Sequence, residues 1–166
     1  DGTQYEQLTP RQWPTSSSAR LFGDGRFPTP DGRARFIATH ARGPRFAPAG
    51  EFPLILNTGR IRDQWHTMTR TGLSPRLGQH LPEPYVEIHP ADAMQADIID
   101  GGYARLATDL GQCVLEVVVS ERQQRGMLFA PIHWSEANSA SARVGALVSP
   151  FTDPFSGQPE IKATPV

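Results

Sequence analysis

The sequence predicts a mainly β domain with one hydrophobic core, built from short strands and small helices. Three observations predict it. From Phe52 onward, short apolar or alternating runs recur between turn residues, the pattern of brief strands. No segment carries the sustained periodicity of a long helix, and neither a heptad nor an internal repeat is visible. At 166 residues the chain can bury roughly 70% of its unfolded surface, enough for a single self-sufficient core. Short strands, small helices and long crossing loops together suggest a closed barrel.

Residues 1–50 are punctuated by prolines and by glycine turns such as Asp24-Gly25 and Asp31-Gly32, which argues for an extended arm or linker rather than a helix. Asp31-Gly32 lies between Phe27 and Phe36 and is placed to close a β-hairpin, with residues 34–38 as its return strand. Ser16, Ser17 and Ser18 read as a flexible stretch. Residues 51–166 are expected to form the compact domain. Its predicted strands cover 52–57, 85–88, 102–108, 112–119 and 127–130, and Asp109-Leu110-Gly111 turns one into the next as a hairpin. Ser74 before Pro75 gives an N-cap and first-turn pair for a short helix over 75–80. Pro90 with Asp92 starts a second helix, to about Ala96, and His89 reads as part of that start.

Composition narrows the function classes. Hydrophobic residues make up 38% and charged residues 20%, ordinary for a globular domain. A net charge of −1 gives no case for bulk binding of nucleic acid or membrane. No apolar run nears the ~20 residues that a membrane span needs, and no secretory leader pattern opens the chain. The abrupt polar start, Asp1 to Gln4, fits a chain that begins inside a longer protein. Cys113 is the single cysteine, so this chain alone can form no internal disulfide and hold no iron–sulfur cluster. It falls in an alternating run to Val119 and reads as a small buried strand residue. Zinc-helix, phosphate-loop and nucleophile-elbow motifs are all missing, so neither a catalytic residue nor a metal ligand is nominated.

One segment concentrates binding chemistry. The apolar run to Leu56 breaks at Asn57-Thr58-Gly59 and continues as a loop dense in donors: Arg60, Arg62, Gln64, Trp65, His66, Thr67, Thr69 and Arg70. A loop leaving a strand end is held by the scaffold while its side chains stay available. Between Asn57 and His80 four arginines (Arg60, Arg62, Arg70, Arg76) face one acid, Asp63, a local excess suited to pyrophosphate. Gly59 permits close backbone approach, Arg60 can grip a phosphate or carboxylate with two bonds, and Trp65 offers a flat face. A solvated surface loop, with Arg60 paired to Asp63, is the competing reading.

These residues also carry a resemblance. Thr58-Gly59-Arg60 followed by Trp65-His66-Thr67 and Thr69 resembles the C-terminal domain of molybdenum oxidoreductases that carry bis-molybdopterin guanine dinucleotide, most closely the catalytic subunit of bacterial assimilatory nitrate reductases. Residues 83–93, with His89-Pro90-Ala91-Asp92-Ala93, resemble that family's strand and helix start. Residues 129–134, with His133-Trp134, and residues 153–162, ending at Lys162, are similar to the same branch. Upstream, Trp13-Pro14 and residues 27–36 resemble the approach to the domain. Together these stretches cover most of the chain in the family's order.

The resemblance implies a six-stranded double-psi β-barrel with short helices, preceded by an extended N-terminal arm. It implies a domain that clamps molybdopterin guanine dinucleotide with its molybdenum, shared with other domains of the parent enzyme. The metal's protein ligand and a 4Fe-4S cluster would lie upstream, not in this chain. Thr58, Gly59, Arg60, Trp65, His66, Thr67, Thr69, His133 and Lys162 are the residues it assigns to the cofactor. Expected partners are the upstream domains of the same catalytic subunit and an electron-donor protein or subunit, in the cytoplasm, with the excised fragment inactive. Gly145 departs from the pattern, because many periplasmic relatives place an asparagine there. Formate dehydrogenase or another oxyanion reductase is the alternative enzyme reading. A non-catalytic docking module on the same barrel is the alternative from another class.

Overall fold

The computed structural model describes residues 4–11, 20–38, 40–154 and 156–166. Trp13-Pro14, the three serines at 16–18 and Phe155 lie outside the described residues. The chain divides into two compact units, Asp1–Arg42 and Gly43–Val166.

In the first unit the expected hairpin is not formed. Residues 34–38 are not strand, and Asp31-Gly32 closes a local turn instead. Phe27 N–H donates to the Gly32 carbonyl and Gly32 N–H to the Thr29 carbonyl, each at 3.0 Å. The Asp31 carboxylate accepts from Arg33 N–H and from the Thr29 hydroxyl, both at 3.1 Å. Those bonds pull the Asp31 carboxyl below its ordinary range, the Arg33 amide first. Pro28 and Pro30 explain the missing ladder, since neither has an N–H to give one. Phe22 and Phe27 stack with ring centroids 5.0 Å apart.

The second unit is mainly β. Six strands, β1 (Ile55–Gly59), β2 (Tyr85–Ile88), β3 (Tyr103–Thr108), β4 (Gly111–Val119), β5 (Met127–Pro131) and β6 (Thr164–Pro165), form one sheet in the order β3-β4-β2-β5-β1-β6. Two pairings are parallel, β1 with β5 and β2 with β4; the other three are antiparallel. Strand periodicity decides the core. Leu56 and Thr58 of β1, Val86 and Ile88 of β2, Ala104 and Leu106 of β3, Cys113, Leu115 and Val117 of β4, and Leu128 and Ala130 of β5 are buried at alternating positions. Ile61 and Ala93 join the cluster, and Trp134, Ala142, Val144 and Leu147 complete it from the loop after β5. Each fully buried Leu or Val contributes about 1.5–3 kcal/mol of transfer free energy.

Local chemistry sets the ends of these elements. Asp109-Leu110 is the two-residue loop of the β3–β4 hairpin, and Leu110 N–H is held by the Thr108 hydroxyl at 3.1 Å. At Gly111 a Cβ would sit 2.8 Å from the Ala146 carbonyl oxygen, so the hairpin can lie this close to residues 144–146 only with glycine there. The helix α1 (Pro75–Gly78) ends earlier than expected, and Ser74 precedes it without a side-chain capping bond. Helix α2 (Pro90–Gln95) is capped by His89, whose Nδ1 accepts from Ala91 N–H at 3.0 Å. Asp92 is buried in α2, and its carboxylate accepts from Gly126 N–H at 2.6 Å, tying the helix to the turn before β5. Residues 43–50 belong to this unit: Arg45 N–H donates to the Glu160 carboxylate at 2.9 Å, and Ala49 bridges Phe52.

Candidate functional site

Parallel strands send their C-terminal ends to the same edge of a sheet. Because β1 and β5 are parallel, the loop that leaves β1 after Gly59 emerges beside residues 132–134, which leave β5. Ile132 N–H donates to the Gly59 carbonyl at 2.9 Å where both chains leave the sheet.

The loop over 60–70 has an inner and an outer face. Ile61 and Gln64 point inward and are buried, and Met68 packs against the core. The Thr71 hydroxyl donates to Gln64 Oε1 at 2.7 Å and accepts from Trp65 N–H at 3.2 Å, while Gln64 Nε2 donates to the Leu77 carbonyl at 3.4 Å. Sequence reasoning missed both Gln64 and Thr71 as supports of this loop. Arg60, Arg62, Trp65, His66, Thr67, Thr69 and Arg70 are exposed on the outer face. The Arg60 guanidinium lies over the Trp65 ring, 4.6 Å from its centroid, and Trp65 stays 56% exposed. The cation–π contact favours the guanidinium over the ring while Arg60 remains exposed. The His66 ring meets Trp65 edge-on at 4.7 Å.

Asp63 does not pair with Arg60. Arg62 Nε and Nη2 donate to its carboxylate at 2.9 and 3.0 Å, and His80 Nδ1 lies 2.7 Å from the second oxygen. The Arg62 hydrogen bonds hold the Asp63 carboxyl below the usual range, with a smaller contribution from His80. Arg62 is therefore engaged, and among the described residues the Arg60 guanidinium has no acidic partner.

The residues assigned by the sequence separate into two sets. Arg60, Trp65 and His66 are brought together on the outer face, and Thr67 and Thr69 are exposed on the same loop. Thr58 and His133 are buried, half-buried Gly59 ends β1, and exposed Lys162 lies beside that strand end. Thr58 is 1% exposed, and its hydroxyl donates to the Ile161 carbonyl. Lys162 Nζ donates to the Thr58 carbonyl, so the chain's single lysine ties residues 160–162 to the end of β1. Gly59 answers to Phe129, whose ring Cε2 a Cβ would approach to 2.6 Å. His133 is 0% exposed: its Nε2 accepts from Ile61 N–H at 2.9 Å and its Nδ1 lies 2.6 Å from the His66 carbonyl oxygen. Burial lowers the His133 pKa from its ordinary value; the His66 carbonyl opposes that, while the nearby charges of Arg60 and His66 add to it. Gly145 faces open space.

The donors on the outer face fit a polyanionic dinucleotide. The guanidinium groups of Arg60 and Arg70, without acidic partners among the described residues, a half-exposed indole and two threonine hydroxyls offer charge, stacking area and short hydrogen bonds on one loop. A cavity of about 650 Å³ lies elsewhere, with mostly apolar walls that include Phe46, Phe52, Leu110, Leu147 and Phe151, and with Arg45 over the Phe151 ring. Among the described residues no group of three or more His, Cys, Asp or Glu could hold a metal, and no helix is long and apolar enough to cross a membrane.

Residues 54–165 match the family described as "Molydopterin dinucleotide binding domain", and the chain belongs to that family. Its relatives include a nitrate reductase of Klebsiella oxytoca, 43% identical over 162 residues, which span 98% of this chain and 19% of that protein. A nitrate reductase of Shewanella frigidimarina is 33% identical, again across 98% of this chain and 20% of the relative. An F420-dependent formate dehydrogenase subunit alpha of Methanocaldococcus jannaschii is 28% identical over 93% of this chain and 23% of its own length. The chain thus spans about a fifth of the length of the curated relatives it matches. Among solved structures, acetylene hydratase from Pelobacter acetylenicus shares the fold, with a TM-score of 0.58 and 20% identity over 68% of this chain and 17% of that one.

Proposed function

We propose that this chain is the cofactor-clamping domain of a molybdenum-dependent nitrate reductase of the cytoplasmic, assimilatory kind. The observation that carries the reading is the outer face of the loop after β1, where Arg60 lies over the Trp65 ring and has no acidic partner among the described residues. Similarity to nitrate reductases along 98% of the chain supports the substrate assignment. The parallel pairs β1/β5 and β2/β4 support reading the sheet as the double-psi barrel of this family.

In this reading Arg60 and Arg70 bind the phosphates of molybdopterin guanine dinucleotide, Thr67 and Thr69 add hydroxyl bonds, and Trp65 and His66 pack against its rings. Lys162, Thr58 and Gly59 support the end of β1 from which Arg60 projects. When bound, the molybdenum and its pterins supply the two-electron chemistry that converts nitrate to nitrite and water. This chain supplies position and charge. Upstream domains of the same subunit share the cofactor, and an electron-donor protein or subunit reduces it through a 4Fe-4S cluster held outside this chain.

Arg60→Ala tests the assignment in the full-length protein. Molybdenum and guanine nucleotide released per mole of protein should fall at least severalfold, and wild-type loading would remove Arg60 from the site. A formate dehydrogenase keeps the same clamp with another substrate, a reading favoured by the similarity to the Methanocaldococcus jannaschii subunit. Formate-dependent dye reduction without nitrate turnover would select it.

A further inference from the structure

The outer face of the loop has a specific shape, and the backbone that gives it that shape is not relaxed. His66 and Met68 both adopt left-handed backbone angles, φ +46° and +61°, although neither is glycine. Such residues persist only where their surroundings hold them, at about 1–3 kcal/mol each. Trp65, whose ring carries Arg60, immediately precedes the first of them.

We infer that His133 is a positioning residue for the cofactor loop: a neutral, wholly buried imidazole that holds both ends of the segment from Ile61 to His66 by backbone hydrogen bonds. The inference rests on the reading of that loop as the cofactor site. It also changes the role of His133, from a group that touches cofactor to one that acts through Trp65 and Arg60. The geometry assigns the tautomer. Ile61 N–H is a donor, so Nε2 must carry a lone pair; the His66 carbonyl is an acceptor, so Nδ1 must carry the proton. With both nitrogens committed and no exposed surface, the ring has nothing left to offer a ligand. Its place two residues beyond β5 follows from the parallel pairing that brings the ends of β5 and β1 together. The carbonyl it holds is that of His66, the first left-handed residue, so the bond opposes relaxation of the strained turn.

Protonation would place a hydrogen on Nε2 and break the Ile61 bond, leaving two donors face to face. The charged groups acting on the ring are Arg60 and His66, both from the loop it holds. Burial and the positive charge of Arg60 favour the neutral form that the arrangement needs. An acid-triggered loosening of the loop follows, to which this ring contributes.

The test uses full-length protein, with hydrogen exchange read on peptides covering residues 60–68 and cofactor content read alongside. His133→Phe removes both bonds and should reduce protection of the loop about tenfold or more, the factor associated with losing a buried hydrogen bond. Its retained cofactor should fall with it. His133→Gln keeps an acceptor for Ile61 and should restore part of the protection. It should also abolish the loss of loop protection, corrected for intrinsic exchange, that the wild type shows on acidification below about pH 6.5. Loop protection unchanged in His133→Phe, or an acid response unchanged in His133→Gln, would overturn the inference. A mobile loop with full cofactor content in His133→Phe also overturns it. In that case Arg60→Ala separates the outcomes: lost cofactor leaves the proposed site standing, and full cofactor removes the site as well.

Discussion

Gly59→Ala should destabilise this domain because of one aromatic ring, and the size of the effect follows from the contact. A Cβ at residue 59 would lie 2.6 Å from Phe129 Cε2 and 3.2 Å from Cζ. Non-bonded carbons pack at about 3.5–4.0 Å, so the ring or the strand end must yield by about 1 Å. The ring cannot swing away cheaply. Phe129 sits in β5 between β1 and β2, and its ring lies 6.2 Å from that of Tyr85. Overpacking of this kind costs about 1–3 kcal/mol. Urea unfolding of the 166-residue chain reads it as a lower midpoint at unchanged slope. In a Phe129→Ala background the obstacle is gone, and the same substitution should become neutral or stabilising by about 0.4–1 kcal/mol, since alanine restricts the unfolded chain more than glycine does. An equal cost in both backgrounds would mean that Phe129 is not the obstacle. The outcome bears on function, because Arg60 projects from the residue after Gly59 and any shift of the strand end moves its guanidinium.

Other consequences can be measured on the same material. Leu56→Ala and Leu115→Ala, at positions 0% and 1% exposed, should each cost about 2–5 kcal/mol in urea unfolding. Burial pushes the Cys113 thiol up to about 11, so native protein at pH 8 should resist iodoacetamide and react only once urea unfolds it. Because the His133 pKa is lowered on folding, the unfolded chain takes up its proton first. Its contribution to stability is full above about pH 6.5 and declines as pH falls through the depressed value, a decline that His133→Gln should flatten in pH-dependent unfolding. Gln64→Ala should leave the core intact and raise hydrogen exchange across residues 64–71 by loosening the Thr71 contact.

The strands were legible where alternation and length agreed. β2 to β5 lie within one residue of their expected ends, because their buried positions recur every second residue. β1 runs later than expected. Pro53 keeps its start out of the ladder, and Asn57-Thr58-Gly59, which reads locally as a break, is held in strand by its partners Phe129 to Pro131. β6 was missed because two residues, one of them Pro165, carry no pattern; its existence depends on pairing to Ile55 and Leu56. At the site, residue types pointed to the loop but not to its faces. Polar Gln64 turns in and Trp65 turns out, the reverse of their hydropathies, because Thr71 and Leu77 satisfy the amide while Arg60 covers the indole. Nor does spacing distinguish a histidine that touches a ligand from one that holds a loop. His133 is told apart only by the parallel strands that bring it beneath Ile61 and His66.

The proposed clamping of a molybdenum cofactor in a nitrate-reducing enzyme is tested by nitrate-dependent oxidation of a reduced viologen dye. The full-length protein would be purified after anaerobic expression with molybdate and assayed for bound molybdenum. Nitrite formed in step with dye oxidation, by protein that contains molybdenum and loses it in Arg60→Ala, is the expected result. Full-length protein that carries no molybdenum and forms no nitrite would contradict the claim.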